Sequence, residues 1–245
     1  MNNESVINIS KVYVAHVKKG YDNRRVSIES QMNKLNIPFE FMLDGDIEDL
    51  NQDRLEKYFK GHLKALTPQT SCMMKHLLIY EDMIKNNVSA ALVFEDDILL
   101  ADNFVEIFNK SISELHSRAD IDFNKSLISY ENSTLKDVSI LEIKSNQYLY
   151  LRSSGRCAGA YYISLNSAKL IINKCEEEKT DEMMDWYHNQ MVEAGLLNIY
   201  WCHPTIAEQG SQNGVFDSSL DIRKKGNFKR RVSWLFKKMF SFIRF

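Results

Sequence analysis

The chain predicts an α/β domain with a mostly parallel sheet flanked by helices, and three observations carry that expectation. Short runs rich in β-branched and aromatic residues alternate with helix-period segments up to about residue 220. The first two runs enclose one helical segment within about 35 residues, the order of a strand–helix–strand unit with parallel strands. The run Ala91-Leu-Val-Phe94 is apolar throughout, as a central buried strand is, and ends in three consecutive carboxylates, Glu95, Asp96 and Asp97.

Taken in order, Lys11–Val17 reads as the first strand, followed by a loop broken at Gly20. Arg24–Leu35 reads as a helix with Val26, Ile28, Met32 and Leu35 on its apolar face, capped by Asp22 or Asn23. Ile37–Leu43 is the second strand, closed by the turn Asp44-Gly-Asp46. After a polar stretch, Pro68 starts a helix over Gln69–Asn86. A helix near Asn103–Leu115 follows the acidic strand end. Residues 116–150 mix polar loops with the strand-like runs Ser126–Tyr130 and Ser139–Ile143. Ala158–Ser164 is a strand, Asn166–Lys174 a helix, Asp181–Ala194 an acidic helix and Leu197–Trp201 a last strand, with Pro204 breaking the pattern.

At 245 residues, with three prolines and 44% hydrophobic residues, the composition suits one sizeable folded domain with an appendage. The four cysteines are widely spaced and form no C-x-x-C pair, which speaks against a zinc ribbon and for a reducing compartment. Nine of the 31 basic residues lie from Arg223 onward with none of the 33 acids, so the body before them carries 22 basic against 33 acidic residues, a net of −11. An acidic body is not the surface of a nucleic-acid-binding domain. No positively charged leader and no apolar run of membrane-spanning length is present, so a cytoplasmic protein is expected.

Three adjacent acids at a strand exit repel one another. A divalent cation with hard oxygen ligands answers that repulsion, and so does plain solvation of an acidic turn. Strand ends in open α/β sheets are where ligands bind, which suits a metal that anchors something phosphorylated. No Walker loop, G-x-G-x-x-G, G-x-S-x-G or H-E-x-x-H is present. Asp181, Glu182 and Asp185 open a predicted helix; they are candidates for a general base, or simply an acidic first turn that favours the helix dipole.

Four blocks together resemble glycosyltransferase family 25, the lipooligosaccharide-biosynthesis glycosyltransferases related to collagen galactosyltransferases. They are the first strand with Arg24-Arg25 and Ile37-Pro-Phe-Glu-Phe41, the stretch Thr67–His76 running on to Leu92-Val-Phe-Glu-Asp-Asp97, Gly159-Ala-Tyr-Tyr-Ile-Ser164, and Asp181 onward through Pro204 and Gln209. Ser71 and Lys75 stand where the family has Gly and Ser, and Ala15-His16 where it has Asn-Leu. The resemblance implies a GT-A-like, Rossmann-like domain over residues 1–222 that binds a nucleotide sugar, most often UDP-galactose, with Mn²⁺ or Mg²⁺. It implies Asp97 as direct metal ligand with Glu95 and His203 as further ligands. Val14, Ala15, His16, Arg24, Arg25, His76, Glu95, Asp96 and Gln209 are implied on the donor, and Asp181 as general base with Asp185 in reserve. For Arg24 and Arg25 pairing with acids on the surface, for His76 a buried, hydrogen-bonded histidine, and for His203 and Gln209 loop packing, are the other readings. The implied activity is metal-dependent, inverting transfer of a hexose onto a lipooligosaccharide, lipopolysaccharide or other surface glycan. A non-catalytic membrane-associated module that keeps the fold, and a sugar nucleotidyltransferase, are the alternatives; the missing Gly-rich phosphate loop counts against the second.

The tail, residues 223–245, differs from the body. Phe228, Val232, Leu235, Met239 and Phe242 recur at helical spacing while Lys229, Arg230, Lys237, Lys238 and Arg244 lie off that stripe. This is the pattern of a helix that lies on an anionic membrane leaflet, here the inner face of the cell membrane, or that packs on a domain or second subunit.

Overall fold

The computed structural model describes residues 6–217 together with Val232 and Trp234. Strand β1 (Lys11–Ala15) leads through Gly20 and Tyr21, both at positive φ, into helix α1 (Asp22–Lys34). Arg24, Ile28 and Met32 form the buried stripe of α1 at i, i+4, i+8, whereas Val26 is 65% exposed. The expected apolar face is therefore corrected by one position: an arginine takes the place assigned to Val26, which at 100° per residue falls outside the stripe.

Strand β2 (Glu40–Met42) and helices α2 (Gln52–Tyr58) and α3 (Pro68–Lys85) come next. The α3 start has Pro68 in its first turn and the Thr67 hydroxyl accepting from the Thr70 amide. Strand β3 (Ala90–Glu95) carries the acidic triplet at its exit, and β4 (Ile98–Leu100) follows at once. Helix α4 (Phe104–Ser117), strands β5 (Ser126–Ser129), β6 (Leu149–Arg152) and β7 (Ala160–Ser164), and helices α5 (Leu165–Glu178) and α6 (Met184–Glu193) continue the chain. Strands β8 (Asn198–Cys202) and β9 (Ala207–Gln209) and the short α7 (Gly210–Asn213) end the described body.

Among the described residues the main sheet has seven strands in the order β2-β1-β3-β7-β5-β8-β6, and β4 pairs separately with β9. β1, β2, β3, β5 and β8 share one direction, while β7 and β6 run against it. The expected α/β class and mostly parallel sheet are what the chain adopts. The β1–α1–β2 unit pairs in parallel with Tyr13 opposite Glu40.

Alternation along β1 and β3 sends side chains to two cores. Tyr13, Ala91 and Val93 join Met73, Leu77 and Ile171 under α3 and α5; Val12, Val14, Leu92 and Phe94 join Ile28, Phe104 and Phe108 under α1 and α4. Burial on both faces is why β3 can stand at the centre of the sheet and deliver its charged end to a fixed place.

Two sequence expectations are corrected. Ser139–Ile143 forms no strand; Leu141 is 89% exposed, and the strand beside β8 is Leu149–Arg152 instead. The acidic helix begins at Met184, not Asp181, because Thr180 is extended: its amide donates to the Tyr58 carbonyl and its carbonyl accepts from the Lys60 amide. Among the described residues no helix is long and apolar enough to cross a membrane. Apart from Val232 and Trp234, the amphipathic tail expected over 223–245 lies outside the described residues.

Candidate active site

The exits of β1 and β3 and the starts of α3 and α6 surround a cleft of about 750 Å³. Glu95, Asp96 and Asp97 lie on one wall, and each acid meets a different environment.

Asp96 is neutralised. Arg24 Nη1 donates to Asp96 Oδ1 at 2.9 Å, and His16 donates from Nδ1 to Asp96 Oδ2 at 2.6 Å. Arg24 stands over the Tyr21 ring at 4.5 Å and also donates to the Asp217 carbonyl. Its buried place on α1 is thus filled by a charge whose partner sits in the turn just after β3.

Asp97 keeps one oxygen without a partner. Oδ2 accepts from the Ser211 amide at 3.2 Å, while Oδ1 is buried and has no hydrogen-bond partner among the described residues. Burial, then the neighbouring Glu95, pushes its carboxyl up to about 6. Gly210 makes the Ser211 contact possible: its amide donates to the Asp97 carbonyl at 2.7 Å, and a Cβ there would lie 2.3 Å from the Phe216 ring.

Glu95 is split between two sides. Oε2 accepts from Gln209 Nε2 at 2.7 Å, while Oε1 faces Cys72 Sγ at 3.7 Å and His76 Nε2 at 3.5 Å. Gln209 reaches it past Gly159, where a Cβ would stand 2.7 Å from Gln209 Nε2 and 2.5 Å from Glu131 Oε2. Glu131 lies wholly buried behind, its carboxyl pushed up to about 8 by burial first and Glu95 second.

Asp185, in the first turn of α6, also lines the cleft. Its carboxyl is raised above the ordinary carboxylate range by burial and by Glu95. Trp186 beside it also lines the cleft and is 63% exposed.

Of the residues singled out from the sequence, the cleft brings together Ala15, His16, Arg24, Glu95, Asp96, Asp97, Asp185 and Gln209. The others sit elsewhere. Val14 is fully buried in the core under α1 and α4. Arg25 pairs with Glu29 at 3.0 Å and lies over Phe41. His76 is buried behind Glu95 with Nδ1 2.8 Å from the Tyr161 hydroxyl. His203 packs edge-on against Tyr150, and Asp181 packs against Gly61.

Sequence reasoning misses Lys75 and Asp46 as site residues. Buried Lys75 donates to the carbonyls of Leu43 and Asp44 at 2.9 and 3.1 Å and pairs with Asp46 at 2.8 Å. It pins the turn after β2 that forms one rim of the cleft. The legible signal is a lysine on the apolar face of α3, where an ammonium requires buried acceptors.

A hard divalent cation fits this donor set. Asp97 offers a buried carboxylate oxygen with no competing partner among the described residues, in a cleft that Glu95 and Asp185 also line.

The family model for glycosyltransferase family 25 (LPS biosynthesis protein) matches residues 9–184. The lipooligosaccharide biosynthesis protein lex-1 of Haemophilus influenzae is 26% identical over 67% of this chain and 61% of its own length. The lipooligosaccharide biosynthesis protein lic2B of the same species is 26% identical over 64% of this chain and 60% of its own. The chain thus spans about 60% of the length of the curated relatives it matches. Among solved structures, a glycosyltransferase involved in the glycosylation of the major capsid of PBCV-1 is 9% identical, with a TM-score of 0.45 over 92% of this chain and 98% of that one. The family match covers most of the described body, the acidic strand end included, and the chain belongs to glycosyltransferase family 25.

Proposed function

We propose that the protein is a glycosyltransferase that moves a hexose from a nucleotide sugar, UDP-galactose first among the candidates, onto a lipooligosaccharide, lipopolysaccharide or related surface glycan. The observation that carries this reading is the unpartnered, buried Oδ1 of Asp97 at the floor of a cleft large enough for a nucleotide sugar. Family membership supports the reaction class, and the names of the relatives support the acceptor class.

In this reading Ala15 and His16, at the exit of β1, border the nucleoside. Asp97 would hold Mn²⁺ or Mg²⁺, with Glu95 beside it, and such a cation would supply positive charge to offset that on the departing nucleotide. Asp96, fixed by Arg24 and His16, supports the β3 exit rather than the cation. Asp185 takes the proton of the acceptor hydroxyl as its oxygen attacks the anomeric carbon from the face opposite the nucleotide, which inverts the configuration. Asp185 takes this role over Asp181 because Asp185 lines the cleft and Asp181 does not. The basic tail would keep the enzyme on an anionic inner leaflet beside a lipid-linked acceptor.

A thermal-shift screen of nucleotide sugars, each with and without Mn²⁺, tests the donor assignment. UDP-sugars with Mn²⁺ are expected to raise the melting temperature, UDP-galactose most. No shift from any nucleotide sugar overturns the proposal.

A further inference from the structure

The cleft holds a second donor set, different in kind from Asp97. Cys72 and His76 stand one turn apart on the same face of α3, and both aim at Glu95 Oε1 at the end of β3. Cys72 Sγ, His76 Nε2 and the Glu95 oxygen all lie within 4.8 Å of one another, the last at 3.7 Å from the sulfur and 3.5 Å from the nitrogen. Ligand atoms around a tetrahedral zinc ion, at about 2.0 Å for nitrogen and oxygen and about 2.3 Å for sulfur, are themselves about 3.3–3.6 Å apart. The two spacings to the Glu95 oxygen are close to that.

The surroundings complete the design. A ligating histidine donates its other N–H to a fixed acceptor. His76 Nδ1 is 2.8 Å from the Tyr161 hydroxyl, which is 2.7 Å from the Tyr80 hydroxyl, itself 2.9 Å from His188 Nε2. With His188 accepting from Tyr80, Tyr80 from Tyr161, and Tyr161 from His76, the Nε2 lone pair of His76 faces Cys72 and Glu95. The reverse order has His76 Nε2–H donating to Glu95 Oε1 at 3.5 Å; a cation bound at Nε2 requires the first order, which alone frees that lone pair. Burial holds His188 neutral, its pKa lowered to about 3, so it can accept. Glu95 has its second oxygen fixed by Gln209, and Cys72 and Glu95 both line the cleft, which leaves a fourth position open to it.

We infer that Cys72, His76 and Glu95 form a binding site for a borderline-soft divalent cation, zinc first among them, distinct from the hard-cation position at Asp97. One thiolate, one imidazole and one carboxylate select zinc or cobalt over magnesium. On binding, the Cys72 S–H bond breaks, an S–metal bond forms, and the proton leaves to solvent. The bound cation ties α3 to the end of β3 and places positive charge near Asp185. The inference rests on the geometry of these three residues and not on the proposed transferase activity.

The test uses the full chain, reduced and stripped with chelator, titrated with Co²⁺ and no nucleotide. One equivalent is expected to give a thiolate-to-cobalt charge-transfer band and the intense visible bands of tetrahedral cobalt, displaced by Zn²⁺ but not by Mg²⁺. Cys72→Ser abolishes the charge-transfer band, Cys157→Ser keeps it, and Tyr161→Phe weakens zinc about 10–100-fold. X-ray absorption of the zinc-loaded wild type gives one sulfur at about 2.3 Å among nitrogen and oxygen ligands, a readout that needs no variant to fold. Absence of the band, its persistence in Cys72→Ser, equal displacement by Mg²⁺, or a zinc shell without sulfur overturns the inference. A cobalt band with no nucleotide-sugar binding would sink the transferase reading and leave the zinc site standing.

Discussion

Arg24 Nη1 donates to Asp96 Oδ1 at 2.9 Å, and both side chains are buried. This pair joins α1 to the exit of β3 and, with His16 on the other oxygen, leaves both oxygens of the middle acid bonded. Among Glu95, Asp96 and Asp97 it divides the labour: one acid holds the frame and its neighbours face the cleft.

Removing one partner of such a pair leaves a buried charge without compensation. Arg24→Met is expected to lower the unfolding free energy by about 3–5 kcal/mol, read from urea denaturation. The double variant Arg24→Met/Asp96→Asn is expected to recover part of that loss, because the stranded carboxylate is gone. A double variant no more stable than Arg24→Met would show that the pair is not the source of the effect.

Glu131 makes stability depend on pH. Its carboxyl is pushed up to about 8 in the fold, against an ordinary value of 4.5. Between those two values the native state keeps a proton that the unfolded chain has lost, so stability is full below about 4.5 and falls as pH rises toward 8. Asp97 and Asp185, also raised, add falls of the same sign. Glu131→Gln, a neutral mimic, is expected to show a shallower decline in urea midpoint from pH 5 to pH 8. Equal slopes in both proteins would contradict the assignment.

Asp185 and Asp181 make opposite predictions. Asp185→Asn is expected to cut the rate of UDP release in the presence of acceptor by about 10²–10⁴-fold, with nucleotide-sugar binding within twofold of wild type by calorimetry. Asp181→Asn is expected to leave turnover within about twofold, because its side chain packs against Gly61 outside the cleft lining. Loss of turnover in Asp181→Asn alone would return the base to that residue.

The parts of this site written in local pattern are legible in the amino-acid sequence. An apolar run broken by three acids specifies a buried strand with a charged exit, and the strand–helix–strand order places that exit at the carboxyl ends of the parallel strands. The remainder depends on contacts between distant segments. Arg24 sits on the buried stripe of α1, where a count of apolar residues passes over it and picks the exposed Val26. Asp181 looks like a first-turn acid, yet the pairing of Thr180 with Tyr58 and Lys60 keeps that residue extended and delays the helix to Met184. Ser139–Ile143 is rich in branched apolar residues as a strand is but takes no partner strand, while Leu149–Arg152 takes the edge beside β8. The grip of Gln209 on Glu95 follows from the β4–β9 pairing, with Ile98 opposite Gln209, which no short stretch of sequence announces. Cys72 and His76 are visible as an i, i+4 pair, but their common aim at Glu95 requires the placement of α3 over β3.

The central claim is that Asp97 presents the oxygen that holds the donor's cation. Mn²⁺-dependent UDP release from UDP-galactose, measured for wild type and Asp97→Asn at matched fold content, tests it most directly. The account predicts release in the wild type, abolished by chelation and reduced at least about 100-fold in Asp97→Asn. Release that survives chelation, or an Asp97→Asn protein as active as wild type, would contradict it.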